Sequence, residues 1–224
     1  MGKVSIVSGL VLASALATSQ VAFSQEASEA PDYLLMPVNA EVVFVTTGGA
    51  EPRADWSEAA RENFHTHLNE QLATHGHVIA QYEEDDSADD IEQLLLLQDI
   101  ITASFNIHLP HKVGNGWNNT DLTLGETAAM LRGETGADEA MFLDHYSQIE
   151  SAGVFMVAVA AAAATQGAYT PASQNIRFSR LTTFDLNTGD VIETVVHGFG
   201  DPRDAGESSN IVRNLVRGMG LEAE

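Results

Sequence analysis

Eight histidines and an absence of cysteine set the limits of the chemistry this chain can offer. Four of the histidines fall in two His-x-His pairs, His65/His67 and His75/His77, and His108 and His111 add two more donors. On a helix, residues two apart point about 200° away from one another, so His65 and His67 cannot face one ion. His75 and His77 sit beside Gly76, in a turn, where both rings are able to converge. No carboxylate accompanies them at a spacing typical of a zinc site, and without cysteine every thiolate site is excluded. Residues 83–90 hold six acids, but they lack the alternating ligands and turn glycine of a calcium loop, so they read as a solvated acidic loop.

Asp144, His145 and Ser147 contain the residue types of a hydrolytic triad. On a strand, His145 and Ser147 share a face while Asp144 points to the other, which argues against the three acting together. The Gly-x-Ser-x-Gly elbow is missing, as are the glycine patterns that cradle phosphates. No residue is therefore assigned to catalysis, to a cofactor or to a metal. A metal-dependent hydrolase using His75/His77 or His108/His111 stands as the enzymatic alternative.

The elements that would position these groups follow from periodicity. Trp56, Ala60, Phe64, Leu68 and Leu72 recur at four-residue spacing and predict a helix from Asp55, with Asp55 and Glu58 as its capping pair and Gly76 at its end. A second helix is expected from about Asp89 to Asn106, with Leu96, Leu97 and Ile100 widening its apolar arc so that it is buried on more than one side. Leu124–Gly133 predicts a short helix, and Ile211, Val212, Leu215, Val216 and Met219 give residues 205–219 helical spacing. Residues 109–121 read as a loop that contains a glycosylation sequon at Asn118.

Strands are expected around Leu34–Met36, Val42–Val45 and His77–Tyr82. Ala140–Leu143 is apolar at every position, the mark of a strand covered on both faces, and Asp144 is where it is expected to emerge. Ile176, Phe178, Thr182, Phe184 and Leu186 form one face of a partner strand, interrupted by Arg180, and Gly189 closes a hairpin onto Val191–Val196. The expected fold is a single α/β domain over residues 33–220: a mixed sheet of about five strands, helices on its faces, a late β-hairpin and a C-terminal helix.

Asp and Glu number 32 against 10 Lys and Arg, a formal net charge of -22, which repels phosphate backbones and argues against nucleic-acid binding. Residues 1–24 read as an export signal, with Lys3, an apolar run and Ala22-Phe23-Ser24 before the cut, followed by a disordered lead-in at 25–32. The expected destination is the periplasm, unlipidated, since no cysteine is available for a lipid anchor. Between Gly153 and Gly167 lies an uncharged run, Val154–Ala164. As a helix it is only about 16 Å long, too short to span a bilayer. It reads as a packed internal helix, an exposed patch for a partner or self-assembly, or a membrane-dipping segment. With Glu51-Pro52-Arg53 and Trp56, it is the leading interaction candidate, for an envelope partner or a second copy.

Gly48–Asn63, Leu124-Gly125-Glu126 with Leu131-Arg132, Thr135-Gly136-Ala137-Asp138 and Phe184–Val191 together resemble a family of uncharacterised proteobacterial exported proteins and lipoproteins. The element order more distantly resembles the TolB N-terminal domain and the curli secretion lipoprotein. These resemblances imply a non-catalytic envelope protein that binds a partner or takes part in assembly.

Overall fold

A computed structural model describes residues 30–82, 92–101, 103, 123–168 and 175–222. The expected signal, the acidic run at 83–90, His108, His111 and the sequon lie outside these residues.

The sheet is mixed and is built around β5 (Glu139–Glu150), which has neighbours along both edges. One edge pairs antiparallel with β6 (Ile176–Asp185), which turns into β7 (Val191–His197). The other edge is shared end to end by β1 (Tyr33–Leu35) and β2 (Asn39–Thr46), both parallel to β5. Leu35 lies opposite Met141 and Asn39 opposite Asp144, so four steps on one side match three on the other. The extra residue falls at Met36-Pro37-Val38, where Pro37 has no N–H to give the ladder. Leu34–Thr46 is thus one line of chain with a bulge. β4 (Ile79–Gln81) flanks β1, and β3 (Gly49–Pro52) flanks β2. Among the described residues, seven strands fill five positions across the sheet.

The bulge also inverts which residues face which layer. Leu35, Val38, Ala40, Val42, Met141, Leu143 and Leu181 pack under α1 (Ala54–Thr74) and α5 (Ala205–Gly218), against Phe64, Leu68, Leu72, Ile211 and Leu215. Leu34, Met36, Ala140, Phe142 and Phe184 pack on the opposite face under helical residues 92–101 (α2) and α3 (Ala128–Thr135), against Leu94, Ile101 and Leu131. Ala140–Leu143 is buried throughout, as expected of a strand with helices on both sides.

Several expectations fail locally. Arg53, not Asp55, occupies the N-cap of α1, without a side-chain cap; Asp55 instead pairs with Arg53, and Glu58 with Arg61. Nearby guanidiniums compete for these carboxylates more strongly than the helix N–H groups do. Gly76 does end the helix, with φ +85°. α2 is buried along a single stripe, Leu94, Gln98 and Ile101, while Leu96 and Ile100 face solvent. β5 does not emerge at Asp144: Asp144, His145 and Ser147 are all buried, because α1 lies over His145, Gln98 of α2 reaches Asp144, and the flanking strands continue beside them.

Candidate functional site

The described histidines are dispersed. His65 Nε2 meets Gln81 Oε1 at 2.9 Å, and His67 Nδ1 meets Glu70 at 3.1 Å, on separate sides of α1. His77 is used by the fold: its ring lies 5.3 Å from that of Tyr33, and Nε2 reaches the Leu221 carbonyl at 3.2 Å. Among the described residues no group of three or more His, Asp or Glu is placed to hold a metal ion.

The alternation of β5 divides Asp144, His145 and Ser147 as their spacing dictates. His145 and Ser147 lie on the α1 side. The His145 ring sits 5.2 Å from Phe64, and Nδ1 bonds Ser179 Oγ at 2.8 Å across the strands. Among the described residues, His145 Nε2 and Ser147 Oγ have no protein partner, and both residues are buried. Such a pair of orphaned polar atoms is the setting in which a buried water is held. The His145–Ser179 bond links β5 to β6 inside the fold.

Burial pushes His145 down from 6.5 to about 4; the Asp201 carboxylate opposes that shift weakly and Arg177 adds to it. Its folded pKa is therefore below its unfolded one. The stability that goes with neutral His145 is complete above pH 6.5 and is lost as pH falls towards 4. By linkage the loss totals about 3 kcal/mol. Urea unfolding at pH 7 and pH 4 is expected to show that the gap between the two conditions narrows by about this amount in His145→Gln. An unchanged gap would contradict a buried neutral imidazole.

Asp144 lies on the other face, directly across from Arg180 on β6. Asp144 Oδ2 accepts from Gln98 Nε2 at 2.8 Å, and Oδ1 from Asn39 Nδ2 at 3.4 Å. Arg180 is the largest fully buried side chain among the described residues; burial lowers its pKa, and the Asp144 charge opposes that shift. What looked in sequence like an interruption of the β6 face is half of a buried charge pair. Beyond it the floor of the sheet continues as Tyr146, Phe178, Ile176 and Val196, bordering a groove of about 870 Å³. Tyr146 and Phe178 give the groove an aromatic floor, and the carboxylates of Glu41, Asp99 and Asp144 lie along its lining.

Trp56 is not a free interaction residue. Its ring is stacked between Arg53 and Arg203, each guanidinium carbon 4.1 Å from the ring centre, with Phe44 edge-on at 5.2 Å. Asp55 and Asp201 hold the two arginines in place. Glu51 and Pro52 remain exposed on the edge strand β3.

The remaining candidate behaves differently. Val154–Ala164 lies within α4 (Ala152–Ala164), between β5 and β6, and no residue of this helix is buried. It is therefore not the packed internal helix that its composition first suggests. Ser151 Oγ caps its start by accepting from Val154 N–H, and the Ser151 N–H bonds the Val45 carbonyl, anchoring the base of the helix to β2. Phe155, Met156, Val157 and Val159 are 61, 61, 60 and 45% exposed. Periodicity gave no warning, because a helix apolar on every side looks in sequence like one buried in a core. Among the described residues, α4 carries four of the twelve large apolar side chains that the fold leaves exposed, in one run over residues 155–159.

No protein-family model matches the chain, and no curated protein matches it in sequence. Solved structures similar to it include the C-terminal domain of LpoB from Salmonella enterica, at 13% identity, covering 78% of this chain and 86% of that one, with a TM-score of 0.28. Lipoprotein GNA1162 from Neisseria meningitidis is 10% identical over 85% of this chain and 99% of its own, with a TM-score of 0.31. The hypothetical protein CT253 from Chlamydia trachomatis is 11% identical over 85% and 96%, with a TM-score of 0.37. These are distant likenesses of fold.

Proposed function

We propose that this chain is a non-catalytic docking protein of the cell envelope, in which a two-sided α/β platform presents α4 to another molecule. The observation that carries this reading is that an uncharged thirteen-residue helix has no buried residue. Exposed apolar surface of this kind costs free energy in water and is recovered when a partner covers it. The chemistry-bearing side chains are engaged in the fold: His145, Ser147, Asp144 and Arg180 are each buried, with Asp144, His145 and Arg180 forming part of the groove wall. The export signal read in residues 1–24 supports an envelope destination.

The test compares crosslinked material recovered from the source envelope by the natural chain and by Phe155→Gln/Met156→Gln/Val157→Gln/Val159→Gln. Glutamine is a good helix former, so the variant changes the surface and leaves the helix. The natural chain is expected to recover a dominant adduct that the variant loses. Identical recovery by both would reject the reading.

A further inference from the structure

The helical layer over one face of the sheet stops short of its far end. α2 and α3 pack on Leu34, Met36, Ala140, Phe142 and Phe184, and reach along β5 as far as Asp144, where Gln98 meets it. Beyond lies the groove of about 870 Å³, within the range of pockets that hold small molecules.

The strand register fixes what tiles this surface. Asn39, Asp144, Arg180 and Val196 stand opposite one another on β2, β5, β6 and β7, and Glu41, Tyr146 and Phe178 form the next row on the same face. Four strands at the usual spacing make it about 14 Å from end to end. The two ends differ. At the β2 end Glu41 is joined by Asp99 of α2, and both residues are exposed. At the β6–β7 end stand Ile176 and Val196, 47 and 40% exposed. Tyr146 and Phe178, with ring centres 6.0 Å apart, lie between.

Charge chooses the ligand. Arg180 stands across from Asp144, and these two offset one another. No ion pair among the described residues takes up Glu41 or Asp99. Asp99 Oδ1 accepts only from the neutral Asn39 amide, at 3.3 Å. One end of the groove is therefore anionic, in a chain of formal net charge -22. Such a site repels anions, and a wholly apolar ligand leaves the carboxylates unused. A cation with an apolar body uses both ends and the rings between them. We infer that the groove binds a small organic cation with an apolar tail, its ammonium group at Glu41 and Asp99 and its tail across Tyr146 and Phe178 towards Val196. The lining comes from β2, α2, β5, β6 and β7, so the site is separate from α4 and stands whether or not that helix docks.

Three probes of one tail length, octylamine, octanol and octanoate, test this on the full chain at pH 7. Binding is read from the amide shifts of residues 144–148 and 176–180, with those of α4 as the control. Octylamine is expected to bind roughly fivefold more tightly than octanol, and octanoate more weakly than either, with the preference reduced by added salt. Glu41→Gln/Asp99→Asn is expected to bring octylamine down to the level of octanol. Ile176→Ser/Val196→Ser is expected to weaken both alike. All four positions are exposed, so neither variant is expected to disturb the fold.

Equal binding of octylamine and octanoate, or a preference for octylamine that survives Glu41→Gln/Asp99→Asn, would overturn the proposal. So would shifts centred on α4, or no shift with any probe at millimolar concentration. If octylamine leaves the groove unmoved while an acetylated lysyl-leucyl-leucine amide shifts it, the occupant is a partner chain and the small-molecule site is rejected.

Discussion

Arg180→Leu is expected to lower the unfolding free energy by about 3–5 kcal/mol, the range for removing one member of a buried ion pair. The loss arises less from the missing attraction than from what remains. Asp144 stays buried, hydrogen-bonded to Gln98 and Asn39, with its charge no longer balanced from across the strand. Removing that charge as well should reverse most of the effect. In Arg180→Leu/Asp144→Asn, the amide oxygen still accepts from Gln98 and no buried charge is left, so the double variant is expected to be more stable than the single one. Equilibrium denaturation of the natural chain, both single variants and the double variant gives the coupling directly. Additive losses would mean that the two charges do not share one buried site.

Gly189→Ala is the second large effect, expected at roughly 4 kcal/mol from left-handed backbone strain together with overpacking. Gly189 has φ +78° in the turn between β6 and β7, and a Cβ there would sit 2.4 Å from the Gly125 carbonyl oxygen and 2.7 Å from its nitrogen. Both obstacles are backbone, so neither can swing aside. The contact has a purpose: the Leu124 N–H donates to the Gly189 carbonyl at 2.7 Å, tying the hairpin to the turn that leads into α3. A thermal midpoint in Gly189→Ala close to that of the natural chain would show that the hairpin and α3 are not clasped in this way.

The parts of the fold legible in sequence are those where one face of one element settles the outcome. Phe64, Leu68 and Leu72 announce α1 by spacing alone, and Ile211, Val212, Leu215 and Val216 announce α5; both stripes are buried as read. Asp185–Asp190 gives the hairpin because Gly189 supplies a backbone conformation that other residues resist. Elements defined by their neighbours were harder to read. β3, with Gly49 and Pro52 at its ends, has no strand pattern of its own and exists by pairing with β2. Leu96 and Ile100 look like core residues until the width of the sheet they cover is known. Polar Asp144, His145 and Ser147 suggest an exit from cover, whereas Arg180, Ser179, Gln98 and α1 provide the partners and the roof that keep the strand inside.

The candidate site follows the same division. Sequence identified Val154–Ala164 as unusual but left its surroundings open, since the same alanine-rich run serves a buried helix or an exposed one. Trp56 drew notice as a large aromatic beside a loop, and the two arginines that enclose it come from positions 150 residues apart in the chain.

The central claim is that α4 belongs to the surface and contributes nothing to the core. The most direct measurement is the urea unfolding free energy of Phe155→Gln/Met156→Gln/Val157→Gln/Val159→Gln at pH 7, beside the natural chain. Surface substitutions of this kind change stability by about 0.5 kcal/mol or less, and the account predicts a value in that range. A loss of several kcal/mol, as cores show when apolar side chains are removed, would mean that the helix is packed within its own domain and would contradict the account.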